Sequence, residues 1–233
     1  KHYPKLEKLI AVSQGVADDV LDISGMSQAR VTVVRNPTIT PEMLVAATEP
    51  VEHPWLSPDN LVPVIMGVGR LTEQKDFATL IAAFAKVRSQ QEARLIILGD
   101  GGLRSELIAQ ATALGVDEHI ALPGFQNNPW AWMSKASVFA LSSRWEGSPN
   151  TLTEAMALGI PVVSTDCPSG PRELLDAGRL APLVAMGDSD TLASALLSVL
   201  AKPSQSQMLT EAVSAYHRDV SATAYLQTLG LSA

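Results

Sequence analysis

The sequence predicts an α/β fold in which a doubly wound parallel sheet is covered by helices on both faces. Short apolar segments alternate with amphipathic helical segments at intervals of roughly 20 to 30 residues, the pattern of repeated strand–helix units. The apolar segments are continuous rather than alternating, as in strands that are buried on both faces. Loops rich in glycine or charged residues follow several of these strands, at the edge where open parallel sheets bind ligands.

Composition indicates a globular chain without a broad surface for polyanions. Of its 233 residues, 46% are hydrophobic, and the formal net charge is −7. This balance argues against a basic surface for nucleic acid or anionic lipid. The single cysteine, Cys167, excludes an internal disulfide or a thiolate metal cluster and is expected to be a small buried filler. No apolar segment approaches the about 20 residues of a membrane span and no signal peptide is recognisable, so the cytoplasm is the expected location.

The chain opens with one strand–helix–strand unit. Segments 9–12 and 31–35 are apolar and strand-like, and segment 14–21 between them is helical, with Ser13 as its N-cap. Residues 38–60 are predicted to form a linker, because four prolines interrupt a weak pattern there.

Strands and helices alternate regularly from Leu61 onward. In the first helix Phe77, Leu80 and Phe84 recur at helical spacing, and Gly115 supplies the C-cap of the second helix. The predicted strands are 61–68, 94–98, 119–122, 137–141, 160–165 and 180–184. The predicted helices are about 76–89, 103–114, 129–135, 150–158, 171–177, 190–201, 204–217 and 221–229.

The stretch from Ser143 to Met156 combines a strand end, a tight loop, a helix start and two carboxylates. Ser148 is predicted to cap this helix and Pro149 to occupy its first position, so that the N–H groups that follow can face a phosphate. Glu154 lies about one turn further in. Paired glutamates are commonly solvated surface charges, but Glu146 directly follows an apolar strand, where a surface carboxylate has little reason to be. The stretch is therefore predicted to bind a ligand.

The loop that follows strand 61–68 carries two cations. Gly67 and Gly69 let the backbone approach a ligand, and Arg70 and Lys75 can hold a diphosphate without a metal ion. The loop is not a dinucleotide fingerprint, because the third glycine is missing, and it is not a P-loop, because no Gly-Lys-Ser/Thr follows. Considered alone, such cations are more commonly surface charges.

Three further loops strengthen the prediction of a site at this sheet edge. Residues 99–102 and 123–125 follow the next two strands, and residues 169–173 start another helix with Pro171 placed for its first position. Turn chemistry explains each loop by itself. Several such loops at one edge of the sheet favour a binding site over ordinary turns.

No metal or cofactor site is predicted. The Asp188-Ser189-Asp190 segment has the D-x-D spacing of some metal-dependent transferases, but it precedes a helix, and an acidic helix cap explains it better. The four histidines are scattered, with no second ligand at helical spacing. The nucleophile elbow G-x-S-x-G is absent as well.

Several of these motifs together resemble one known family. They are Gly69-Arg70 with Lys75, Gly99-Asp100-Gly101, Pro123-Gly124-Phe125, and Glu146 with seven residues before Glu154. These motifs resemble the donor-binding C-terminal half of retaining GT-B glycosyltransferases of family four, the glycosyl transferases group 1. Segments 143–150 and 166–173 look most like its bacterial members that build surface polysaccharides. The resemblance implies a Rossmann-like domain for a nucleotide-sugar donor.

The resemblance also implies roles for single residues. Arg70 and Lys75 would hold the donor diphosphate and stabilise the leaving group, in agreement with the prediction from their loop. Glu146 would approach the donor sugar and completes the candidate catalytic set. The implied donor-binding residues are Gly69, Gly99, Gly101, Gly124 and Phe125 beside the base and phosphates, Gly147, Ser148, Pro149, Asn150 and Thr151 at the helix start, and Glu154 on the ribose hydroxyls. No metal ion or other cofactor is expected, because fixed cations and a helix terminus stabilise the departing nucleoside diphosphate.

Three regions follow from the resemblance. Residues 1–37 resemble the end of an N-terminal acceptor domain and the crossover, residues 38–217 the donor-binding domain, and residues 218–233 the helix that crosses back. The rest of the acceptor domain is not represented, so the isolated chain is expected to bind donor without transferring sugar. Dimerisation through residues 1–36 or 218–233, and peripheral association of the full-length protein with the inner face of the membrane, are further expectations.

The expected function is transfer of a hexose or N-acetylhexosamine from a UDP-sugar to a glycan or lipid-linked acceptor, with retention and without a metal. Nucleic acid is not an expected partner. Two alternatives remain open. One is a UDP-sugar epimerase of the same architecture, against which the Arg70/Lys75 and Glu146/Glu154 pairs speak. The other is a non-catalytic nucleotide-sugar-binding module.

Overall fold

The first unit of the chain is a small parallel strand pair with one helix. The computed structural model describes residues 5–231, so residues 1–4 and 232–233 of the predicted end regions lie outside the described part. Strands β1 (Leu9–Ala11) and β2 (Val31–Val33) pair in parallel, and α1 (Gln14–Ser24) connects them. Ser13 caps α1, because its hydroxyl accepts from the Val16 N–H at 3.3 Å. The predicted strand–helix–strand unit is confirmed.

A six-stranded parallel sheet forms the body of the molecule. Its strands are β3 (Val64–Val68), β4 (Arg94–Leu98), β5 (Ile120–Gly124), β6 (Val138–Leu141), β7 (Val162–Thr165) and β8 (Leu183–Val184). They lie in the order β5-β4-β3-β6-β7-β8 and all pair in parallel. The order reverses between β3 and β6, and open α/β sheets bind ligands in the crevice at such a switch point.

Helices cover both faces of this sheet, as predicted. They are α2 (Pro41–Ala46), α3 (Phe77–Arg88), α4 (Arg104–Ala113), α5 (Pro129–Met133), α6 (Asn150–Ala157), α7 (Pro171–Leu174), α8 (Ser189–Ala201), α9 (Ser206–Ala212) and α10 (Arg218–Thr228). On β6, Val138 and Ala140 belong to a core cluster with α3, α4 and α8, whereas Phe139 and Leu141 belong to one with α5, α6 and α9. Because successive strand residues point to opposite faces, two separate cores follow.

The prediction of a linker over residues 38–60 was wrong. The segment contains α2 and a 3-10 helix at Pro54–Leu56. Pro41 occupies the first helical turn of α2, and the Thr40 hydroxyl caps that helix by accepting from the Met43 N–H at 3.1 Å. A proline counted as an interruption therefore starts a helix, because its missing N–H would be unpaired there in any case.

Several predicted boundaries were too wide. Leu61 is 94% exposed and precedes β3, and the strand predicted at 180–184 is only two residues long. The helices predicted at 171–177 and 204–217 each change into a 3-10 helix before they end. In residues 5–231 no helix is long and apolar enough to cross a membrane.

The two end segments of the chain are joined to each other beside the sheet. The Ile39 N–H donates to the Tyr216 carbonyl at 2.9 Å, and the Arg218 N–H donates to the Ile39 carbonyl at 2.9 Å. Lys8 Nζ donates to the Thr228 carbonyl of α10 at 3.0 Å. The crossover after β2 is therefore held against α10.

Candidate functional site

The loops that follow β3 and β6 meet through a buried ion pair. Lys75 Nζ lies 2.6 Å from Glu146 Oε1, and the Ser143 hydroxyl donates to the same oxygen at 2.7 Å. The side chain of Lys75 is 15% exposed and that of Glu146 is 7% exposed. Sequence reasoning grouped Lys75 with Arg70 as two diphosphate-binding cations. In the structure Lys75 instead pairs with the candidate catalytic carboxylate of Glu146.

A second set of contacts fixes these two loops to each other. Asp76 is 4% exposed, and its Oδ2 accepts from Arg144 Nε at 3.0 Å and from the Thr79 hydroxyl at 2.8 Å. The Gln74 side chain donates to the Trp145 carbonyl at 3.0 Å. Asp76 and Arg144 support the site but were not predicted to do so from the sequence. A helix cap at Asp76 could be recognised locally, but no sequence signal links it to an arginine 68 residues away.

Arg70 is positioned differently from Lys75. Its side chain is exposed, and it has no ion-pair partner among residues 5–231. It lines a cavity of about 290 Å³ at the carboxyl ends of β3 and β4. An arginine without a carboxylate partner at a cavity wall is available to an anionic ligand.

This cavity brings most of the predicted glycine-rich loops together. The Gly69 N–H donates to the Leu98 carbonyl and the Gly99 N–H to the Gly124 carbonyl, each at 2.9 Å. Phe125, 75% exposed, stands at the edge of the cavity. Its lining residues are Val68, Gly69, Arg70, Leu98, Gly99, Asp100, Phe125, Gln126 and Pro129. Gly101 is not among them; it packs beneath the neighbouring loop, where a Cβ would lie 2.5 Å from the Leu71 carbonyl oxygen.

The start of α6 differs from the prediction by one residue. Pro149 stands at the N-cap position, with φ −76° and ψ 79°, and no side chain caps the helix. The prediction that Ser148 caps it was therefore wrong. The Asn150 side chain is also engaged, because its Oδ1 accepts from Asn36 Nδ2 at 3.0 Å and from the Thr38 hydroxyl at 3.3 Å. These contacts tie the helix start to the crossover segment.

Polar groups without partners concentrate at this helix start. Within the described range, the hydroxyl oxygens of Ser148 and Thr151 are buried and have no hydrogen-bond partner. The backbone N–H groups of Gly147, Ser148 and Thr151 likewise donate to no acceptor in residues 5–231. Buried polar groups without partners are costly. A ligand that carries several oxygens would satisfy them.

Glu154 lies one turn further along α6 in an apolar setting. Burial raises the pKa of its carboxyl to about 7. Near neutral pH this carboxyl therefore exists in both charged and neutral forms.

A cleft on the other side of Glu146 separates the sheet edge from α1. It has a volume of about 460 Å³ and is lined by Gly15, Val16, Asp19, Asp22, Trp145, Glu146, Pro168 and Ser169. The Ser13 hydroxyl donates to the Gly147 carbonyl at 2.7 Å, and the Gln14 N–H donates to Glu173 Oε2 at 3.1 Å. These bonds place the start of α1 beside the loop that carries Glu146.

Asp188 and Cys167 have the structural roles that the sequence predicts for them. Asp188 caps α8, since its Oδ1 accepts from the N–H groups of Asp190 at 3.1 Å and Thr191 at 2.9 Å. This confirms the interpretation of the D-x-D segment as a helix cap. Burial raises the pKa of the Cys167 thiol to about 11, so it stays protonated as a small buried side chain.

Comparison with known proteins decides the family. The family model described as glycosyl transferases group 1 matches residues 62–202. The chain belongs to this family.

Two relatives of this glycosyl transferases group 1 chain are bacterial enzymes that are named as glycosyltransferases. The Campylobacter jejuni N-acetylgalactosamine-N,N'-diacetylbacillosaminyl-diphospho-undecaprenol 4-alpha-N-acetylgalactosaminyltransferase is 32% identical over 85% of this chain and 52% of its own length. The Rhizobium meliloti lipopolysaccharide core biosynthesis glycosyltransferase LpsE is 30% identical over 98% of this chain and 65% of its own. The chain thus spans about half to two thirds of the length of these relatives.

Solved structures show that this family member has a GT-B glycosyltransferase fold. The apo lipopolysaccharide outer core galactosyltransferase WaaB superposes with a TM-score of 0.78 at 27% identity, over 96% of this chain and 62% of that one. The Anabaena protein HepE, solved in complex with UDP and glucose, superposes with a TM-score of 0.71 at 21% identity, over 96% and 63% of the two chains. At that identity HepE shows the shared fold alone.

Proposed function

We propose that this chain is the donor-binding half of a retaining glycosyltransferase that transfers a sugar from a UDP-sugar to a glycan or lipid-linked acceptor. The observation that carries the proposal is the convergence at the β3/β6 switch point. Arg70, Lys75 and the uncapped start of α6 lie there on the loops of adjacent strands, next to a ligand-sized cavity.

The proposed donor extends along this edge. Its base and ribose lie in the cavity between Arg70 and Phe125, and Glu154 accepts hydrogen bonds from the ribose hydroxyls. The diphosphate lies between the two cations and the N–H groups of Gly147 and Ser148. As the bond to the sugar breaks, negative charge grows on the diphosphate, and these fixed positive groups stabilise it without rearrangement.

The proposal requires no divalent ion at the diphosphate. Arg70 and Lys75 supply the charge that a metal ion would otherwise supply. The two carboxylates of the D-x-D segment are committed elsewhere, Asp188 to the cap of α8 and Asp190 to an ion pair with Lys86 at 2.7 Å.

The sugar and the linkage are proposed from relatives. The Campylobacter enzyme is named for an α-linked N-acetylgalactosaminyl product, WaaB is named as a galactosyltransferase, and HepE was solved with UDP and glucose. We therefore propose a UDP-linked hexose or N-acetylhexosamine as donor and an α-linked product. The acceptor is proposed to be bound mainly outside these 233 residues.

Calorimetric titration with UDP, GDP, ADP and their sugars tests the proposal. We expect UDP and UDP-sugars to bind, and Glu154→Ala to weaken that binding. If no nucleotide binds and Glu154→Ala has no effect on any titration, the site is assigned wrongly.

A further inference from the structure

The ion pair between Lys75 and Glu146 presents a conflict for the proposed donor site. The ammonium of Lys75 is one of two cations assigned to the diphosphate. Within residues 5–231 its one hydrogen-bond acceptor is Glu146, at 2.6 Å. Both side chains are largely withdrawn from solvent, so neither charge is well screened by water. A diphosphate that approaches Lys75 therefore also approaches a carboxylate.

Hydrogen bonds hold the backbone around Glu146, so any rearrangement takes place in the side chains. The Ser169 N–H donates to the Glu146 carbonyl at 2.7 Å, and the Thr165 hydroxyl donates to the Ser143 carbonyl at 2.6 Å. The loop backbone is thus anchored at Ser143 and at Glu146 itself. Its side chain, however, also lines the cleft of about 460 Å³ toward α1, a volume in the range of ligand sites.

We propose that Glu146 discriminates the nucleotide-sugar donor from the nucleoside diphosphate by exchanging Lys75 for hydroxyl groups of the donor sugar. This inference rests on the proposed function. When a nucleotide sugar binds, its phosphates form ion pairs with Lys75. The sugar hydroxyls then donate hydrogen bonds to the Glu146 carboxylate, which no longer contacts Lys75. When a nucleoside diphosphate binds alone, no sugar hydroxyl is present to replace Lys75 as the hydrogen-bond partner of Glu146. The carboxylate then remains beside the phosphates.

The exchange has a direct consequence for turnover. Once the sugar has been transferred, Glu146 loses its hydroxyl partners and competes again with the diphosphate for Lys75. Like charges at short range in a poorly solvated site repel each other. The nucleoside diphosphate is thereby bound less tightly than the donor, which favours its release.

Calorimetric titration of the wild type and Glu146→Gln with UDP and UDP-glucose tests this inference. Glutamine keeps the side-chain length and can still accept from the Ser143 hydroxyl, but it removes the charge that holds Lys75. We expect Glu146→Gln to bind UDP about fivefold more tightly and UDP-glucose about fivefold more weakly. The opposite signs are the signature of a partner exchange. A residue that only holds Lys75 in place would weaken both ligands when replaced.

A control variant and a Lys75→Gln background test whether the affinity changes depend on the Lys75–Glu146 pair. Glu42→Gln removes one unit of charge from a carboxylate that pairs with Arg218 at 3.0 Å and lines neither the cavity at Arg70 nor the cleft at Glu146, so both affinities should stay unchanged. In a Lys75→Gln background the gain in UDP affinity from Glu146→Gln should shrink, because no ammonium remains to be released. Thermal unfolding is measured first, and Glu146→Ala replaces the glutamine variant if that variant does not fold.

The outcomes separate this inference from the proposed function. If the wild type binds UDP but Glu146→Gln binds it equally or more weakly, the exchange is wrong and the donor site stands. If the gain in UDP affinity is the same with and without Lys75, simple repulsion explains it and the exchange is again wrong. If neither UDP nor UDP-glucose binds the wild type, the proposed function fails and the exchange fails with it.

Discussion

Among single residues, Glu154 responds most directly to pH. Its folded pKa of about 7 lies above the ordinary carboxyl value of 4.5, so between these values the folded protein binds more protons than the unfolded chain. The contribution of this group to the free energy of unfolding is therefore present below pH 4.5 and lost as pH rises toward 7, by at most about 3 kcal/mol. We expect Glu154→Gln to remove this slope in urea unfolding measured across the window. An identical slope in wild type and variant would contradict the raised pKa.

The affinity for the ligand should also depend on the protonation of Glu154, but it should rise with pH where the free energy of unfolding falls. Ribose hydroxyls that donate to the Glu154 carboxylate favour its charged form, so binding lowers the pKa and releases a proton. We expect the affinity for UDP-glucose to rise from about pH 6 to pH 8, in line with this linkage. Calorimetry in two buffers that differ in ionisation enthalpy measures the released proton, which should be absent in Glu154→Gln.

Arg70 is the second residue whose role can be measured directly. It is exposed, lines the cavity and has no ion-pair partner in the described residues, so Arg70→Ala removes a ligand contact without breaking an internal one. We expect UDP affinity to fall by roughly 1.5–3 kcal/mol, the range for a charge-assisted hydrogen bond. Arg88→Ala, at the other end of α3, is the control and should not change the affinity. Equal UDP binding by Arg70→Ala and wild type would remove Arg70 from the site.

For the strands and loops, the decisive feature is how closely the ends of β3 and β4 approach each other. A Cβ on Gly99 would lie 1.9 Å from the Gly69 carbonyl oxygen, and Gly99 has φ +132°. Gly99→Ala must push the two loops apart, and we expect it to lower the free energy of unfolding by roughly 2–4 kcal/mol and to weaken UDP binding. Gly102→Ala is the matched control, because a Cβ there meets nothing within 4 Å. Urea unfolding of both variants tests this; similar values for the two would show that the close approach is unimportant.

The bounds of strands and helices could be predicted where they depend on neighbouring residues in the sequence. Apolar runs and helical spacing depend on neighbouring residues, so β4 and α3 were found within one residue of their observed bounds. The start of α6 was misplaced by one residue, and its first residue, Asn150, binds Asn36 and Thr38 on a distant segment. Capping preferences depend on residues next to the helix start, so they cannot predict a contact with a distant segment.

Across the whole molecule, Arg35 links the crossover to α7 and to the segment that precedes α10. It forms an ion pair with Glu173, and its guanidinium lies 5.7 Å from the centre of the Tyr216 ring. We expect Arg35→Ala to lower the free energy of unfolding by about 1–2 kcal/mol, because it removes both contacts and leaves the partly buried carboxylate of Glu173 unpaired. Arg179→Ala breaks the well-exposed pair with Asp176 and should cost less than about 0.5 kcal/mol. Urea unfolding of both variants makes the comparison, and equal losses would mean that Arg35 contributes no more than a surface pair.

The sequence by itself determined the parts of this protein that depend on local pattern. These are the alternation of buried strands and helices, the edge at which the glycine-rich loops lie, and the glutamates that flank the start of α6. Only the tertiary structure decided that β3 lies beside β6, that Lys75 is paired with Glu146, and that Asp76 meets Arg144. Strand order is set by packing between segments far apart in the chain, which hydrophobic periodicity does not encode. The partners of charged side chains at the site follow from that order, and for this reason the sequence predicted the site but not its internal contacts.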